Sequence, residues 1–224
     1  LGDVYKRQVV ILDTGIDQDH PHFGPDNNGD GVADRIVYQY DFVNNDPIAN
    51  DVNGHGSHVA GIAAGSDSAY GGIAPGANII ALQVLNDSGN GSFGAIERAL
   101  QWVVSNAEAY NIASINLSLS DSQNWNTATS QYGIGDELAA LAAKSVLVIS
   151  AAGNSYASFQ APGVSYPAAD ANSLAVSASF ASNIGSFSAG GGTDYTTDAD
   201  RAVAFSQRSP CLLYTSPSPR DATL

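Results

Sequence analysis

Short apolar runs alternate with amphipathic stretches along most of the chain. Residues 9–13, Val-Val-Ile-Leu-Asp, form an unbroken apolar run that ends on a carboxylate and is followed by Thr14-Gly15. This is the pattern of a parallel strand buried on both faces and delivering Asp13 at its carboxyl end, where open α/β sheets place their sites. Residues 79–85, 113–119, 146–150 and 173–179 read as further strands. Between them, 92–108 carries Phe93, Ile96, Leu100, Val103 and Val104 at helical spacing, and 134–144 reads as another helix. The segments 86–91, 120–132 and 151–155 read as loops. Strands alternating with helices predict an α/β fold with a mostly parallel sheet and helices on both faces.

Residues 53–65, Asn-Gly-His-Gly-Ser-His-Val-Ala-Gly-Ile-Ala-Ala-Gly, combine a helix start with two histidines and almost no bulk. Gly54 permits a sharp entry, which puts the His55 imidazole at a helix N-terminus, and the small residues let the backbone approach its neighbours. An imidazole titrates near neutral pH and accepts a proton from a nucleophile when a carboxylate orients its other nitrogen. A packed Ala/Gly helix with satisfied histidines would read the same way, so the surroundings decide. Asp13-Thr-Gly15 alone also matches an aspartic-protease motif, but that chemistry needs a second such carboxylate in a β-rich chain, and no second Asp-Thr-Gly occurs.

Residues 26–34 place oxygen-bearing side chains at alternate positions, Asp26, Asn28, Asp30 and Asp34, with Val32 able to offer its carbonyl and glycines where a tight loop turns. A hard cation takes several oxygens from such a loop, so calcium is the expected metal. The loop resembles an EF-hand or thrombospondin-type calcium loop without the bidentate Glu at its twelfth position. A plain Asn/Asp/Gly turn is the alternative reading.

Both termini change the picture. One short DNA element encodes residues 3–8 on one strand and residues 211–216 on the other, in a different frame, and it resembles a transposase end used in sequencing adapters. Residues 1–8 and 210–224 are therefore expected to be artefactual adapter-derived tails, leaving 9–209 as the natural segment. The formal net charge of −14 stays strongly negative without them. That excludes nucleic acid and anionic membranes as expected partners. The single cysteine, Cys211, falls in the second tail, so no disulfide framework is expected. No apolar run reaches membrane-spanning length.

Asp13 after a strand, His55 at a helix start and Asn154 after a later strand stand in an order that resembles the subtilisin-like serine proteases, the subtilases. Residues 10–17, Val-Ile-Leu-Asp-Thr-Gly-Ile-Asp, look like the family's aspartate motif, and 55–61, His-Gly-Ser-His-Val-Ala-Gly, like its histidine motif. Ser-Ala-Ala-Gly-Asn at 150–154 resembles the segment carrying the oxyanion asparagine, and 114–119 the strand lining the substrate cleft. The resemblance implies a three-layer subtilisin-like fold, incomplete at the C-terminus. It implies a serine-type endopeptidase in which Asp13 holds His55, His55 deprotonates a serine and the Asn154 amide meets the oxyanion. It places Gly89, Gly91, Ser118, Leu119, Ser120, Ala152 and Gly153 along the cleft. It further implies polypeptide substrates, a secreted monomer, structural calcium and no organic cofactor.

The family's nucleophile comes last, in a Gly-Thr-Ser-x-Ala-x-Pro motif, and that motif is absent here. Thr215-Ser216-Pro217 is only a superficial echo within the second tail. The serine is expected beyond the truncated end, so the chain as it stands should be inactive; Ser57, Ser118, Ser150 and Ser155 do not occupy the motif. Ser120 stands where the family usually has glycine, which bears on the first specificity pocket. The stretch 66–72 is too short for the family's long calcium loop. The rival readings are a non-catalytic pseudoprotease or peptide-binding module, and an acidic calcium-binding module that would account only for 26–34.

Overall fold

The computed structural model describes residues 7–209. They fall into two compact units, one running up to Ser118 and including Tyr132–Val148, the other comprising Leu119–Gln131 and the residues from Ile149 onward. Cys211 and nearly all of the two tails lie outside the described residues.

The first unit contains β1 (Gln8–Asp13), a 3-10 turn at Pro21–Phe23, β2 (Ile36–Asp41), α1 (His55–Ala64), β3 (Asn78–Gln83), α2 (Phe93–Asn106), β4 (Ile112–Leu117) and α3 (Gly135–Ala143). β1 pairs in parallel with β3 on one side and β4 on the other, and β2 adds in parallel outside β3. Paired residues share a face and successive residues alternate. Ile11, Ile79 and Ala81 therefore face one way, where they cluster with Ala60 and Ala64 of α1. Val10, Ile80 and Tyr38 face the other way, and there Trp102 of α2 stacks on Tyr38 with ring centroids 4.2 Å apart. One helix thus lies on each face, which is why β1 and β3 read as continuous apolar runs. Val10, Leu12, Ile79, Ile80 and Leu82 are all 0% exposed, and each such burial contributes about 1.5–3 kcal/mol.

Helix ends follow local chemistry. Ser92 caps α2 by accepting from the Ala95 amide at 3.2 Å. At the C-terminus of α1, the Arg35 guanidinium donates to the carbonyl of Ala64 at 2.7 Å, satisfying one of the orphan acceptors there. Phe93, at the start of α2, is only partly buried and stacks on Tyr132 at 4.0 Å.

Several element bounds differ from the sequence reading. β1 begins at Gln8, inside the stretch set aside as tail: its amide donates to the Asn111 carbonyl, and the residue pairs with Asn78 and Ile112. β3 ends at Gln83 rather than 85, because the amides of Val84 and Leu85 both turn to the Asp13 carbonyl. β2 is absent from the sequence reading altogether. Only its ends, Ile36 and Asp41, are buried, so its Ile-Val-Tyr-Gln-Tyr-Asp run lacks the continuous apolar signal of its neighbours.

β5 (Leu147–Ala151) begins in the first unit and ends in the second, which also takes in α4 (Tyr156–Phe159), β6 (Ser173–Val176) and an antiparallel hairpin of β7 (Phe187–Ala189) and β8 (Gly192–Asp194). β6 stops before 179 because the Ser177 hydroxyl and the Ala178 amide bond to Gln207 and Ser206. The hairpin carries almost no apolar pattern, which is why it too escapes a reading by periodicity.

Candidate active site

Asp13 closes β1 with its side chain wholly buried, and the Thr14 amide donates to its Oδ1 at 2.8 Å. The chain then turns at Gly15, whose φ of +113° and contact with the Ala49 carbonyl leave no room for a Cβ. His55 opens α1 after Gly54, which sits in the left-handed region at φ 92°. The two elements bring His55 Nδ1 to 2.6 Å from Asp13 Oδ1. A carboxylate oxygen at that distance requires the proton on Nδ1, which leaves the lone pair on Nε2. The imidazole side chain is 47% exposed while the aspartate is 0% exposed, so the ring faces solvent and the carboxylate paired with it does not. Burial pushes the Asp13 carboxyl above its ordinary value despite the hydrogen bonds from His55 and Thr14. Its Oδ2 is buried with no partner among the described residues.

The seat of this pair is a second carboxylate that the sequence reading missed. Asp51 Oδ1 accepts from the Thr14 hydroxyl and the Gly54 amide, both at 2.8 Å. Its Oδ2 accepts from the Ser57 amide at 2.8 Å and the Ser57 hydroxyl at 2.6 Å. Ser57 Oγ in turn accepts from the Asp17 amide, and Thr14 Oγ1 from the Gly56 amide. Burial alone would raise the Asp51 pKa, but the bonds from Ser57 and Gly54 outweigh it and hold the carboxyl below its ordinary value. An acid shortly before a small-residue helix was the only sequence signal, and it also fits an ordinary solvated turn. The Ser57 hydroxyl thus donates to Asp51 and accepts from the Asp17 amide.

In the second unit, Asn154 follows β5 on a turn made by Gly153 at φ 105°. Asn154 is exposed and its carboxamide has no hydrogen-bond partner among the described residues. The turn is held by Gln207, 0% exposed and likewise unmarked by any motif. Its amide donates to the Gly153 carbonyl, its Oε1 accepts from Ser165 Oγ, and its Nε2 donates to Gln123 and Asn124. A side chain on Gly153 would run into Gln207.

The remaining expected cleft residues divide between the units. Gly89 and Gly91 lie in the loop before α2, which Asn53 ties to the start of α1 by donating to the Asp87 carbonyl at 2.9 Å. Ser118 accepts from Asn116 at 2.8 Å. In the second unit Leu119 and Ala152 are buried and Ser120 is exposed. Ser150 is buried against Ser173, their hydroxyls 2.7 Å apart.

In the loop 26–34 the oxygens are turned onto the loop itself. Asp26 accepts from the amides of Gly29, Asp30 and Gly31, Asp30 from Val32 and Asn28, and Asp34 from Asn27. The Gly31 amide, followed by those of Gly29 and Asp30, holds the Asp26 carboxyl below its ordinary value. Among the described residues no three His, Cys, Asp or Glu side chains converge as a metal site. In this conformation the loop is a hydrogen-bonded polar turn. Among the described residues no helix is long and apolar enough to cross a membrane.

A family model described as the subtilase family matches residues 6–218. Subtilisin Savinase from Lederbergia lenta is 37% identical over 183 residues, covering 79% of this chain and 56% of that protein. An alkaline protease from Alkalihalobacillus alcalophilus is also 37% identical over 183 residues, covering 79% of this chain and 40% of its own length. Among solved structures, a cold-adapted subtilisin-like serine proteinase superposes with a TM-score of 0.61 at 28% identity, over 89% of this chain and 58% of that one. Sphericase gives 0.62 at 27%, over 90% and 59%. The chain thus spans about half the length of these proteins.

Proposed function

We propose that this chain, which belongs to the subtilase family, is part of a secreted serine-type endopeptidase acting on polypeptides. The observation that carries the reading is the 2.6 Å contact between His55 Nδ1 and a buried carboxylate, with Nε2 left free on an exposed ring. In the proposed reaction Asp13 keeps His55 in the Nδ1–H tautomer and stabilises the imidazolium that forms. His55 Nε2 takes the proton of a serine hydroxyl as the oxygen attacks the scissile carbonyl. The Asn154 amide, unspent in the second unit, donates to the developing oxyanion. His55 then hands its proton to the leaving amine, and water releases the acyl group by the same route in reverse.

The serine is proposed to come from a segment of the parent protein that this chain does not include, since no Gly-Thr-Ser-x-Ala-x-Pro motif occurs here. The test is peptide hydrolysis by the protein expressed from source DNA read beyond residue 209. Activity that is lost on His55→Ala supports the assignment, and activity indifferent to that change rejects it.

Structural calcium on the loop 26–34 is proposed on donor chemistry alone, from three carboxylates, the Asn28 amide oxygen and the Val32 carbonyl within nine residues. A bound cation would favour the folded state, so the proposal is testable as a change in stability.

A further inference from the structure

We propose that Asp51 is the positioning residue of this site: by clamping the start of α1 onto the turn that follows Asp13, it sets the Asp13–His55 hydrogen bond. The inference rests on the dyad reading above and asks what holds that dyad in register.

Asp51 stands three residues before the Gly54 cap, outside α1. Three of its four donors belong to the helix start, the amides of Gly54 and Ser57 and the Ser57 hydroxyl. A carboxylate there satisfies orphan N–H groups and complements the helix dipole, as any N-terminal acid can. The Thr14 hydroxyl is a different kind of partner. Thr14 is next to Asp13, 37 residues away in sequence from Asp51, and capping a helix does not require it.

Each hydroxyl on Asp51 relays the bond one step further. Thr14 Oγ1 donates to Asp51 and accepts from the Gly56 amide, the residue after His55. Ser57 Oγ donates to Asp51 and accepts from the Asp17 amide, beyond the turn. The residues on either side of His55 are thus tied through one carboxylate to the residues that follow Asp13. Gly56 completes the seat: a Cβ there would fall on the Gly15 carbonyl, so the helix backbone rests directly on the turn.

Asp51 is not within hydrogen-bond reach of the His55 ring, and it acts through this frame. The Asp13–His55 bond joins two different elements, so a displacement of the helix start by about 1 Å would take it out of hydrogen-bond range.

The test reads the dyad directly, without catalysis and with the chain as it stands. A Nδ1 proton held between imidazole and carboxylate gives a low-field resonance, assigned here by its loss in His55→Ala. Asp51→Asn keeps the shape but turns an amide toward donors, and it should abolish the resonance while far-UV circular dichroism and cooperative melting persist. Thr14→Val cuts the link from Asp51 to the turn together with the Gly56 amide bond that the same hydroxyl accepts, leaves the Gly54 and Ser57 amides on Asp51, and should also abolish it; Thr14→Ser restores the hydroxyl and should bring it back. Ser92→Ala, which removes the cap of α2, should lower the melting temperature without moving the resonance.

A resonance unchanged in folded Asp51→Asn or in Thr14→Val overturns the inference alone, and so does failure of Thr14→Ser to restore it. If Asp51→Asn does not fold, the two Thr14 variants decide. Absence of the resonance in the unaltered chain overturns the dyad reading, and this inference with it.

Discussion

The wholly buried Asp13, bonded to His55, and the half-buried Asp51, four residues before that histidine, respond to acid in opposite senses. The Asp13 pKa is raised by burial, so the ionised form costs stability in the folded state, and that cost disappears as pH falls through the raised value. The Asp51 pKa is lowered by its four donors. Its contribution is therefore complete above the ordinary carboxylate value and is lost as pH falls through the lowered one. Asp51→Asn should destabilise the protein most at pH 6, with the gap to the unaltered chain closing once pH drops well below 3.8. Urea midpoints at several pH values would check this, and a gap independent of pH would contradict it. At the same scale, Gly56→Ala should cost about 1–3 kcal/mol, because the added methyl meets the fixed Gly15 carbonyl rather than open space. Equilibrium unfolding measures that, and a neutral result would mean that the helix start is not seated as described.

At the scale of elements, legibility followed the strength of the local signal. β1 and α2 were readable from their apolar periods and α1 from its run of small residues after a glycine, and their ends carry chemistry: Asp13 on β1, Gly54 before α1, Ser92 before α2. β2 was not, since its central residues are only half-covered and its pattern merges with the polar turn before it. The dyad was readable because both members sit at element ends inside dense motifs. Asp51 and Gln207 were not, because a side chain that braces a turn from far away in sequence leaves no local period. The loop 26–34 is where the pattern permits two structures. If it takes calcium, thermal melting should rise with concentration, by about 2.7 kcal/mol of added stability at a hundredfold excess over the dissociation constant. Asp30→Ala should abolish the rise, and identical melts with and without calcium would leave the loop a polar turn.

For the whole molecule, the proposed activity turns on a group that the 224 residues do not carry in its expected motif. Asp13 and His55 are paired by β1 and α1 within the first unit, so the imidazole is oriented by the fold rather than by the serine it is proposed to serve. That separation makes a sharp expectation. The present chain should not be labelled by a serine-directed fluorophosphonate, because an oriented imidazole alone forms no covalent adduct with it. The protein extended from source DNA should be labelled and should hydrolyse peptides, and His55→Ala in that protein should lower kcat/KM by about 10²–10⁴-fold or more, the contribution of a positioned general base. Labelling of the present chain would mean that a serine among these residues is activated, and the extended reading would then be wrong. An extended protein that keeps the low-field His55 proton yet neither labels nor hydrolyses would leave the dyad intact and reject the peptidase.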